Sequence, residues 1–289
     1  MYSSSIRFSF KKFTFILFIC ISSICYGCGK GSENNPENGT PGAPGNKALS
    51  LRVMTYNIHH GNPPSKAGVI DLDAIANVIK GAKADLVAVQ ELDSATNRSN
   101  NEFQLKVLAE KTGMNYFFAK AIPYEGGGYG IGILSKYPIS NAKNIPLPED
   151  LSVGNYEDRA FALVKVTLPD SRQIYFGSTH LDVNKEENRI LQAQKIVEVA
   201  SALKAPVIIG GDMNARMESQ AMGLLSNYFV SASKKMEPTI PNVNPTRKID
   251  HIMYVKDQDF TLTYEEVVRS ASYPSDHLPF FVDLSVSAK

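Results

Sequence analysis

Residues 206–214 read PVIIGGDMN, and this stretch shows how the chain is built. Its apolar part, residues 207–209, has no polar side chain on either face of a strand, which predicts burial on both sides of a sheet. Two glycines then let the backbone come close to other groups. A carboxylate and an amide follow at once, and their two-residue spacing predicts that Asp212 and Asn214 share one face. A plain β-turn would not need a buried strand before it, so we expect this pair at a functional site.

Five further polar motifs also stand at the ends of apolar runs. They are MTYN at 54–57, VQE at 89–91, STHLD at 178–182, IDH at 249–251 and SDH at 275–277. Carboxylates, amides and imidazoles gathered in this way can hold Mg²⁺ or Mn²⁺ and activate a water molecule. Metal-assisted phosphoester hydrolysis is therefore the leading functional hypothesis.

Glu91 follows the apolar run 86–90 directly, where an unpaired carboxylate would be costly. This favours a metal ligand over a salt bridge at the end of the strand. Near the C-terminus, Asp276 and His277 are adjacent, and neighbours in sequence cannot easily orient each other. We therefore expect Asp276 to bind the metal and Asp250 to fix the tautomer of His277.

The remaining histidines have ordinary interpretations beside the functional ones. His180 could donate to a phosphate oxygen or protonate a leaving group, and it could equally form a structural pair with Asp182 on the same strand face. His59 and His60 are adjacent and would point in opposite directions on a strand, so neither is assigned to the metal. His251 is assigned to structure or to the surface.

The N-terminus predicts export. Three basic residues precede the apolar run 13–25, which is too short for a spanning helix and is typical of a signal peptide over residues 1–27. Gly27 before Cys28 resembles a bacterial lipoprotein cleavage site, with Cys28 as the lipidated residue and the membrane as a partner. Cys25 departs from the usual leucine at that position, and secretion without lipid is the alternative. Residues 28–48 are rich in Gly, Pro, Asn and Ser, which predicts a flexible tether.

Composition excludes several classes of function. Cys20 and Cys25 lie within the predicted signal peptide, so the domain that follows Cys28 has no cysteine for a disulfide, a thiolate metal site or a cysteine nucleophile. Without the three basic residues of the signal peptide, 27 basic residues face 29 acidic ones, and the net charge is −2. No basic stripe is visible, which disfavours a tight or processive DNA binder.

The pattern of residues 49–289 predicts one domain of mixed α/β structure. Helical spacing is present at 72–82, 102–111, 187–203 and 219–225, and Asp71 is a good N-cap for the first helix. The predicted strands are 49–58, 86–90, 130–134, 160–168, 173–178, 207–210, 251–255, 260–268 and 280–286. Two or more strands come between helices, which favours a mixed sheet or two packed sheets over a doubly wound parallel sheet.

The glycine cluster GGGYG at 126–130 precedes a strand instead of opening a helix, so it is interpreted as a flexible loop near the site. Tyr129 within it is a candidate substrate contact. No nucleotide-binding glycine loop is found in the sequence.

The motifs, in this order, resemble those of the endonuclease/exonuclease/phosphatase superfamily. The matching residues are Tyr56-Asn57, Gln90-Glu91, Thr179-His180-Leu181, Gly211-Asp212-Met213-Asn214, Ile249-Asp250 and Ser275-Asp276-His277-Leu278-Pro279, with Gly132–Ile139 in the middle of the domain. The resemblance covers about residues 49–286. It implies a deoxyribonuclease-like four-layer α/β sandwich, in which two packed mixed β-sheets are flanked by helices.

The resemblance also implies roles for the candidate residues. Glu91, Asn57 and Asp276 would surround a divalent cation, Mg²⁺ or Mn²⁺. Asp212 and Asn214 would position or activate the attacking water. Asp250 would orient His277, and His277 would contact the scissile phosphate or take a proton. His180 would stabilise phosphoryl oxygens or the leaving group. Arg159 would contact the substrate.

Three functions remain open at this point. The first is an exported, lipid-anchored phosphodiesterase of the bacterial cell envelope, acting on a small molecule, a lipid head group or nucleic acid, with no protein partner evident. The second is a phosphomonoesterase that acts on sugar or inositol phosphates. The third is a catalytically inactive binding lipoprotein, which the retention of every expected acid, amide and imidazole argues against.

Overall fold

The computed structural model describes residues 48–154, 157–256 and 260–287. The predicted signal peptide and, apart from Ala48, the predicted tether lie outside these residues. Within the three ranges no helix is long and apolar enough to cross a membrane.

Twelve strands and four α-helices are found in the described residues. The strands are β1 (Leu49–Asn57), β2 (Leu86–Ser94), β3 (Asn115–Tyr124), β4 (Gly127–Ser135), β5 (Ile139–Leu147), β6 (Arg159–Thr167), β7 (Gln173–His180), β8 (Val207–Asp212), β9 (Phe229–Ser231), β10 (Asp250–Val255), β11 (Phe260–Val267) and β12 (Phe280–Val286). The helices are α1 (Leu72–Ala82), α2 (Gln104–Thr112), α3 (Glu186–Leu203) and α4 (Gln220–Tyr228).

The strands form two six-stranded sheets. Sheet A has the order β11-β12-β1-β2-β4-β3, and sheet B has the order β5-β6-β7-β8-β10-β9. Each sheet contains one parallel pair, β1 with β2 and β7 with β8, and its other neighbours are antiparallel. Both sheets are therefore mixed, as the resemblance implies.

Three apolar layers hold the two sheets and the helices together. The central layer lies between the sheets and includes Leu51 and Ile133 from sheet A and Phe176 and Ile208 from sheet B. A second layer packs sheet A against α1 and α2, and a third packs sheet B against α3 and α4. The expected four-layer sandwich is thereby confirmed.

The stretch 206–214 shows why four layers form. Ile208 belongs to the central layer, whereas Val207 and Ile209 belong to the layer beneath α3 and α4. Successive side chains of a strand point to opposite faces, so a strand that is apolar on both faces needs a cover on each. The second sheet covers one face of β8, and the helices cover the other.

The helix predictions are confirmed to within a few residues. Asp71 accepts a hydrogen bond from the backbone N–H of Ala74, as expected of an N-cap. Ser219 does the same for α4 by accepting from the N–H of Met222, so the helix begins after Ser219 and not at it. Ile58 does not belong to β1, which ends at Asn57.

The interpretation of the glycine cluster as a flexible loop is wrong. Residues 127–130 form the start of β4, which pairs on one side with β2 and on the other with β3. The turn between β3 and β4 contains only Glu125 and Gly126. Side chains are excluded here because neighbouring strands lie too close: a Cβ on Gly127 would lie 2.2 Å from the carbonyl oxygen of Ser94. The glycines therefore permit close strand packing and do not provide mobility.

Candidate active site

The strand register brings the polar motifs to one edge of the sandwich. In sheet A, Asn57 at the end of β1 pairs with Gln90 of β2. In sheet B, Asp212 at the end of β8 pairs with His180 at the end of β7 and with Asp250 at the start of β10. The sheets meet through Gln90, which accepts from the hydroxyl of Thr55 and donates to that of Ser178. Five of the six motifs thus meet at one site between the two sheets, and His277 of the sixth joins them through its contact with Asp250.

The carboxylate of Asp212 is the centre of this site. Its Oδ2 accepts a hydrogen bond from the side-chain amide of Asn57 at 3.1 Å. The Nε2 atoms of His180 and His277 lie 3.5 Å and 3.6 Å from the same oxygen. Its Oδ1 accepts from the backbone N–H of Asn214 at 2.9 Å. Burial and the negative charge of Asp250 raise the pKa of Asp212 above its usual range.

The expected contact between Asp250 and His277 is present. Nδ1 of His277 lies 2.9 Å from Oδ2 and 3.2 Å from Oδ1 of Asp250. Thr239 donates its hydroxyl to Oδ2 as well. Burial alone would lower the pKa of His277, but the charges of Asp250 and Asp212 raise it. Burial opposes the charged form of Asp250 too, and the bond to His277 overcomes it, so the pKa of Asp250 is lowered. The imidazolium of His277 is therefore held by the carboxylate of Asp250 and faces the carboxylate of Asp212.

His180 is held in the neutral form with a defined tautomer. Burial, together with the positive charge of Arg159, lowers the pKa of His180 to about 3. Nη1 of Arg159 lies 3.3 Å from Nδ1 of His180. Because a guanidinium can only donate, Nδ1 is the acceptor and the ring proton is on Nε2. His180 therefore presents an N–H donor towards Oδ2 of Asp212.

Glu91 lies at a register shift in β2, between Val89 and Leu92. Its φ of 57° is in the left-handed region, which a residue other than glycine rarely adopts. The bulge turns the side chain out of the strand and into the site, where Oε1 accepts from the amide of Asn57 at 2.9 Å. Strain of this kind is found at functional positions.

The charge of Glu91 has no ordinary counterion. Among the described residues no lysine or arginine forms an ion pair with it; its one ion-pair contact is with Nδ1 of His60, 3.9 Å away, which counts only if that ring is protonated. Burial alone would raise the pKa of Glu91, but the proximity of His60, the hydrogen bond from Asn57 and the charge of His277 lower it well below its usual range. A half-buried anionic carboxylate without a lysine or arginine partner is an environment that a bound cation stabilises.

Two sets of residues could hold a divalent cation. Asp212, Asp250 and His277 are buried, and one ligand atom of each lies within 4.8 Å of the others. In that set, however, Nδ1 of His277 bonds to Asp250, and Thr239 occupies the same carboxylate. Oε2 of Glu91 has no such partner among the described residues, so the residues around Glu91 fit a cation better.

The three predicted metal ligands have different surroundings. Asn57 uses its amide nitrogen for Glu91 and Asp212, and its Oδ1 accepts from the backbone N–H of His59. Asn57 thus bridges the two acids, and its direct contact with a cation stays a prediction. Asp276 is half-buried, and its Oδ1 accepts from the hydroxyl of Ser275. Neither Glu91 nor Asp276 belongs to the buried group of Asp212.

Asn214 does not lie where the spacing argument put it. Strand β8 ends at Asp212, and Asn214 follows in a turn with a φ of 46°, so alternation along a strand does not apply to it. Its backbone N–H supports Asp212, and its side-chain amide donates to the carbonyl oxygen of Leu181 at 2.9 Å. That the side chain positions water stays a prediction.

The two candidate substrate contacts lie beside the acids. Arg159 is buried at the start of β6, where Nη1 lies 3.0 Å from Oε1 of Glu157 and Nε has no hydrogen-bond partner among the described residues. Tyr129 of β4 pairs with Asp93 of β2. Burial, with the negative charge of Glu91, raises the pKa of Tyr129 far above its usual range, so its hydroxyl stays protonated. The guanidinium of Arg98 lies over this ring, 5.4 Å from its centroid.

Three acids and imidazoles in or next to the motifs have structural partners outside this site. Asp182 accepts from the backbone N–H groups of Asn184 and Lys185, so it shapes the loop before α3. Asp93 forms a two-bond ion pair with Arg98. His251 is buried, its Nε2 lies 3.1 Å from the carbonyl oxygen of Ala215, and the structural assignment made from the sequence holds.

Sequence reasoning missed His60 because it placed His59 and His60 on a strand. The strand ends at Asn57, and residues 59–61 form a short 3-10 turn in which His60 has a φ of 42°. This turn directs Nδ1 of His60 towards Glu91. Gly61, which follows with a φ of 71°, is the one signal in the sequence for such a turn.

Comparison with known proteins agrees with the fold. The sequence matches the Endonuclease/Exonuclease/phosphatase family over residues 54–277. Uncharacterized protein YbhP of Escherichia coli strain K12 is 26% identical over 255 residues, which cover 82% of this chain and 96% of that protein.

Solved structures share the architecture. An endonuclease/exonuclease/phosphatase from Beutenbergia cavernae superposes with a TM-score of 0.71 at 23% identity, over 83% of this chain and 72% of that one. A mannosyl-6-phosphatase from Bacteroides thetaiotaomicron does so with a TM-score of 0.67 at 19% identity, over 81% and 99%. At such identities the structures show a common fold alone. The family match, by contrast, covers residues 54–277, which is most of the sequence, and it shows that this chain belongs to the Endonuclease/Exonuclease/phosphatase family.

Proposed function

We propose that this protein is a divalent-cation-dependent phosphoesterase that hydrolyses phosphodiester bonds with an activated water molecule. Its family includes phosphodiesterases, nucleases and phosphatases. The observation that carries the proposal is the approach of an amide and two imidazoles to one carboxylate oxygen, Oδ2 of Asp212, beside the carboxylate of Glu91, which has no lysine or arginine partner among the described residues.

The cation would be held by Glu91, with Asn57 and Asp276 as further ligands. A bound Mg²⁺ or Mn²⁺ supplies positive charge that stabilises the phosphoryl oxygens as they become more negative. Glu91 lies outside the Asp212 group, and its Oε2 is 3.9 Å from Nδ1 of His60. The cation and the proton acceptor would therefore occupy separate parts of the site.

The Asp212 group would move the proton. A raised pKa makes Asp212 a better proton acceptor near neutral pH than an ordinary aspartate. His277, charged and fixed by Asp250, would donate from Nε2 to the phosphoryl group and stabilise its negative charge. Neutral His180 would donate from Nε2 to a phosphoryl or leaving-group oxygen. Arg159 keeps that proton on Nε2, because it occupies Nδ1.

The test is hydrolysis of bis-p-nitrophenyl phosphate by the purified protein with Mg²⁺, Mn²⁺ or EDTA. We expect diester cleavage that EDTA abolishes and that Glu91→Gln reduces by about 10²-fold or more, since the charge proposed to hold the cation is lost. Asp182→Asn is the control, because Asp182 lies at the same edge but accepts hydrogen bonds from the backbone of its own loop. Activity that survives both EDTA and Glu91→Gln would refute the proposal.

A second candidate is hydrolysis of phosphomonoesters such as sugar or inositol phosphates. The solved structure of a mannosyl-6-phosphatase with this fold favours it. So does Arg159, since a monoester carries one more negative charge than a diester and the buried Nε has no partner among the described side chains. Cleavage of p-nitrophenyl phosphate, but not of the diester, under the same conditions would select this candidate.

We also propose that the protein is exported and anchored by lipid at Cys28, where it would meet small-molecule, lipid or nucleic-acid phosphoesters. Support comes from the basic and apolar segments before Gly27-Cys28 and from the polar stretch after them. Labelling with a fatty-acid analogue in a bacterial host tests it. We expect label in the membrane fraction that Cys28→Ala removes. Equal labelling of Cys28→Ala would refute the anchor.

A further inference from the structure

The chain makes an unusual turn directly after Asn57. His59 and His60 both have positive φ, at 47° and 42°, and neither is a glycine. The turn is fixed at both residues, since the backbone N–H of His59 donates to Oδ1 of Asn57 and Gln104 donates to the carbonyl oxygen of His60. Two such residues in succession cost stability, and the surrounding structure maintains them next to a third strained residue, Glu91.

The result of this turn is the position of one imidazole nitrogen. Nδ1 of His60 is buried and has no hydrogen-bond partner among the described residues. It lies 3.9 Å from Oε2 of Glu91, too far for a hydrogen bond. On the other side of that carboxylate, Oε1 is bonded to Asn57. An imidazole nitrogen and a carboxylate oxygen therefore face each other without a bond between them.

This separation suits two ligands of one metal ion. Metal–nitrogen and metal–oxygen distances of about 2.0–2.2 Å allow two ligands to lie up to about 4.3 Å apart. The neighbouring imidazole does not offer the same atom, because Nδ1 of His59 lies 2.7 Å from the carbonyl oxygen of Asn62. Of the two adjacent rings, only His60 has its Nδ1 facing Glu91.

We propose that His60 binds, through Nδ1, the same divalent cation as Glu91, and that this makes the site prefer a first-row transition ion such as Mn²⁺ to Mg²⁺. Imidazole is a good ligand for transition ions, whereas Mg²⁺ prefers carboxylate, carbonyl and water oxygens. The inference rests on the proposed cation-dependent function and adds both a ligand and an ion preference to it.

The test measures the bound ion directly, with Mn²⁺ as the probe and the purified full-length chain. Electron spin-echo modulation of bound Mn²⁺ detects the ¹⁴N of a directly coordinated imidazole. We expect this coupling in the wild type, its replacement by a ¹⁵N coupling after histidine-selective ¹⁵N labelling, and its loss in His60→Ala and His60→Gln. His59→Ala is the matched control and should keep it.

Affinity supplies a second measurement. Free Mn²⁺ is counted by electron paramagnetic resonance, and Mg²⁺ affinity follows from competition. His60→Ala should raise the Mn²⁺ dissociation constant about tenfold or more and the Mg²⁺ constant by less than about threefold, so that the preference for Mn²⁺ shrinks. Circular dichroism shows whether each variant is folded, and His60→Gln replaces His60→Ala if the latter is not.

The outcomes distinguish a failure of the role of His60 from a failure of the proposed cation-dependent function. Mn²⁺ that binds to the wild type and is lost in Glu91→Gln, but without ¹⁴N coupling, would overturn the role of His60 and keep the cation site. Coupling that persists in both His60 variants would also overturn it and point to another histidine. If the wild type binds no Mn²⁺ and Glu91→Gln changes nothing, the cation-dependent function fails and the role of His60 fails with it.

Discussion

Asp212 is buried, and Asn57, His180 and His277 all approach its Oδ2. We therefore expect its replacement to affect chemistry more than folding. Asp212→Asn keeps the size of the side chain but removes the proton acceptor. We expect kcat for the diester to fall by about 10²–10⁴-fold, the range for loss of a positioned general base. Steady-state rates at saturating Mn²⁺ and urea unfolding of the same preparation check this. A kcat within about threefold of the wild type would contradict the role.

Asp182 offers a control two residues beyond His180. It is also a buried aspartate at this edge, but it accepts from backbone N–H groups of its own loop. Asp182→Asn should lower the free energy of unfolding by about 1–3 kcal/mol, since charge-assisted bonds are lost. Its kcat per folded molecule should stay near that of the wild type. The pair of variants therefore separates chemistry from loop structure.

His251 predicts part of the acid sensitivity of the protein. Burial, with the charge of Lys248, lowers its pKa to about 4. The unfolded state therefore binds a proton more readily, and the stability contributed by neutral His251 is present above about pH 6.5 and is lost as the pH falls towards 4. We expect a loss of about 2 kcal/mol between about pH 7 and about pH 5 from this residue.

His251→Gln tests the prediction, because glutamine can still donate to the carbonyl oxygen of Ala215 but does not titrate. Urea unfolding at both pH values in EDTA gives the free energies. The variant should lose about 2 kcal/mol less than the wild type on acidification. Equal losses in both proteins would show that His251 is not the group responsible. His180 is buried and neutral too, and it contributes equally to both proteins.

At the scale of the elements, strand β4 explains why β2 can carry Glu91 into the site. The register of β4 shifts against both of its neighbours, next to Val89 in β2 and next to Lys120 in β3. Gly130 lies at both shifts, and a Cβ there would lie 2.2 Å from the carbonyl oxygen of Ala119. A backbone atom cannot move aside as a flexible side chain can, so the bulge depends on this glycine.

Gly130→Ala should therefore reduce both stability and activity. We expect a loss of about 1–3 kcal/mol in the free energy of unfolding from overpacking, together with a lower rate as the bulge and Glu91 shift. Gly81 in α1 is the opposite case, because a Cβ there meets nothing within 4 Å. Gly81→Ala should stabilise the protein by about 0.5–1 kcal/mol. Urea unfolding compares the two, and a neutral Gly130→Ala would contradict the packing argument.

The elements also show what the sequence could predict. Strands β1, β2 and β8 are apolar where they are buried, and their patterns predict them. Strand β5, at the edge of sheet B, exposes residues 140–144 and contains an irregularity between Ser140 and Lys143, so no alternation reveals it. Strand β3, at the edge of sheet A, is likewise mostly half-buried or exposed. Edge strands are stabilised by their neighbours, which a local pattern does not contain.

In the site, too, local sequence predicts some residues and misses others. Motifs at strand ends predict Asp212, Asp250, His277 and Glu91, because an acid after a buried run needs a partner. The positions of Asn214 and His60 depend instead on left-handed turns that follow the strand ends. Spacing along a strand says nothing about the direction of a side chain after a turn. Only the folded backbone shows that the side chain of Asn214 points to the Leu181 carbonyl and that of His60 to Glu91.

For the whole molecule, the decisive feature is that one site joins two sheets. Asn57 and Glu91 come from sheet A, and His180, Asp212 and Asp250 come from sheet B. The central apolar layer holds the sheets together, and Gln90 adds a polar bridge from Thr55 of sheet A to Ser178 of sheet B. Asn57 is the side chain that connects the two groups, since its amide donates both to Glu91 of sheet A and to Asp212 of sheet B.

The proposed cation site makes a prediction that thermal unfolding can measure. The surroundings of Glu91 lower its pKa, so its ionised form already stabilises the folded state without a cation, and Glu91→Gln should lower the Tm in EDTA. Mn²⁺ should raise the Tm of the wild type, since an ion at about a hundredfold its dissociation constant stabilises the folded state by about 2.7 kcal/mol. In Glu91→Gln the ion should have little effect. If Glu91→Gln still responded fully to Mn²⁺, Glu91 would serve the fold and the cation would be held elsewhere, for which the buried Asp212 group is the remaining candidate among the described residues.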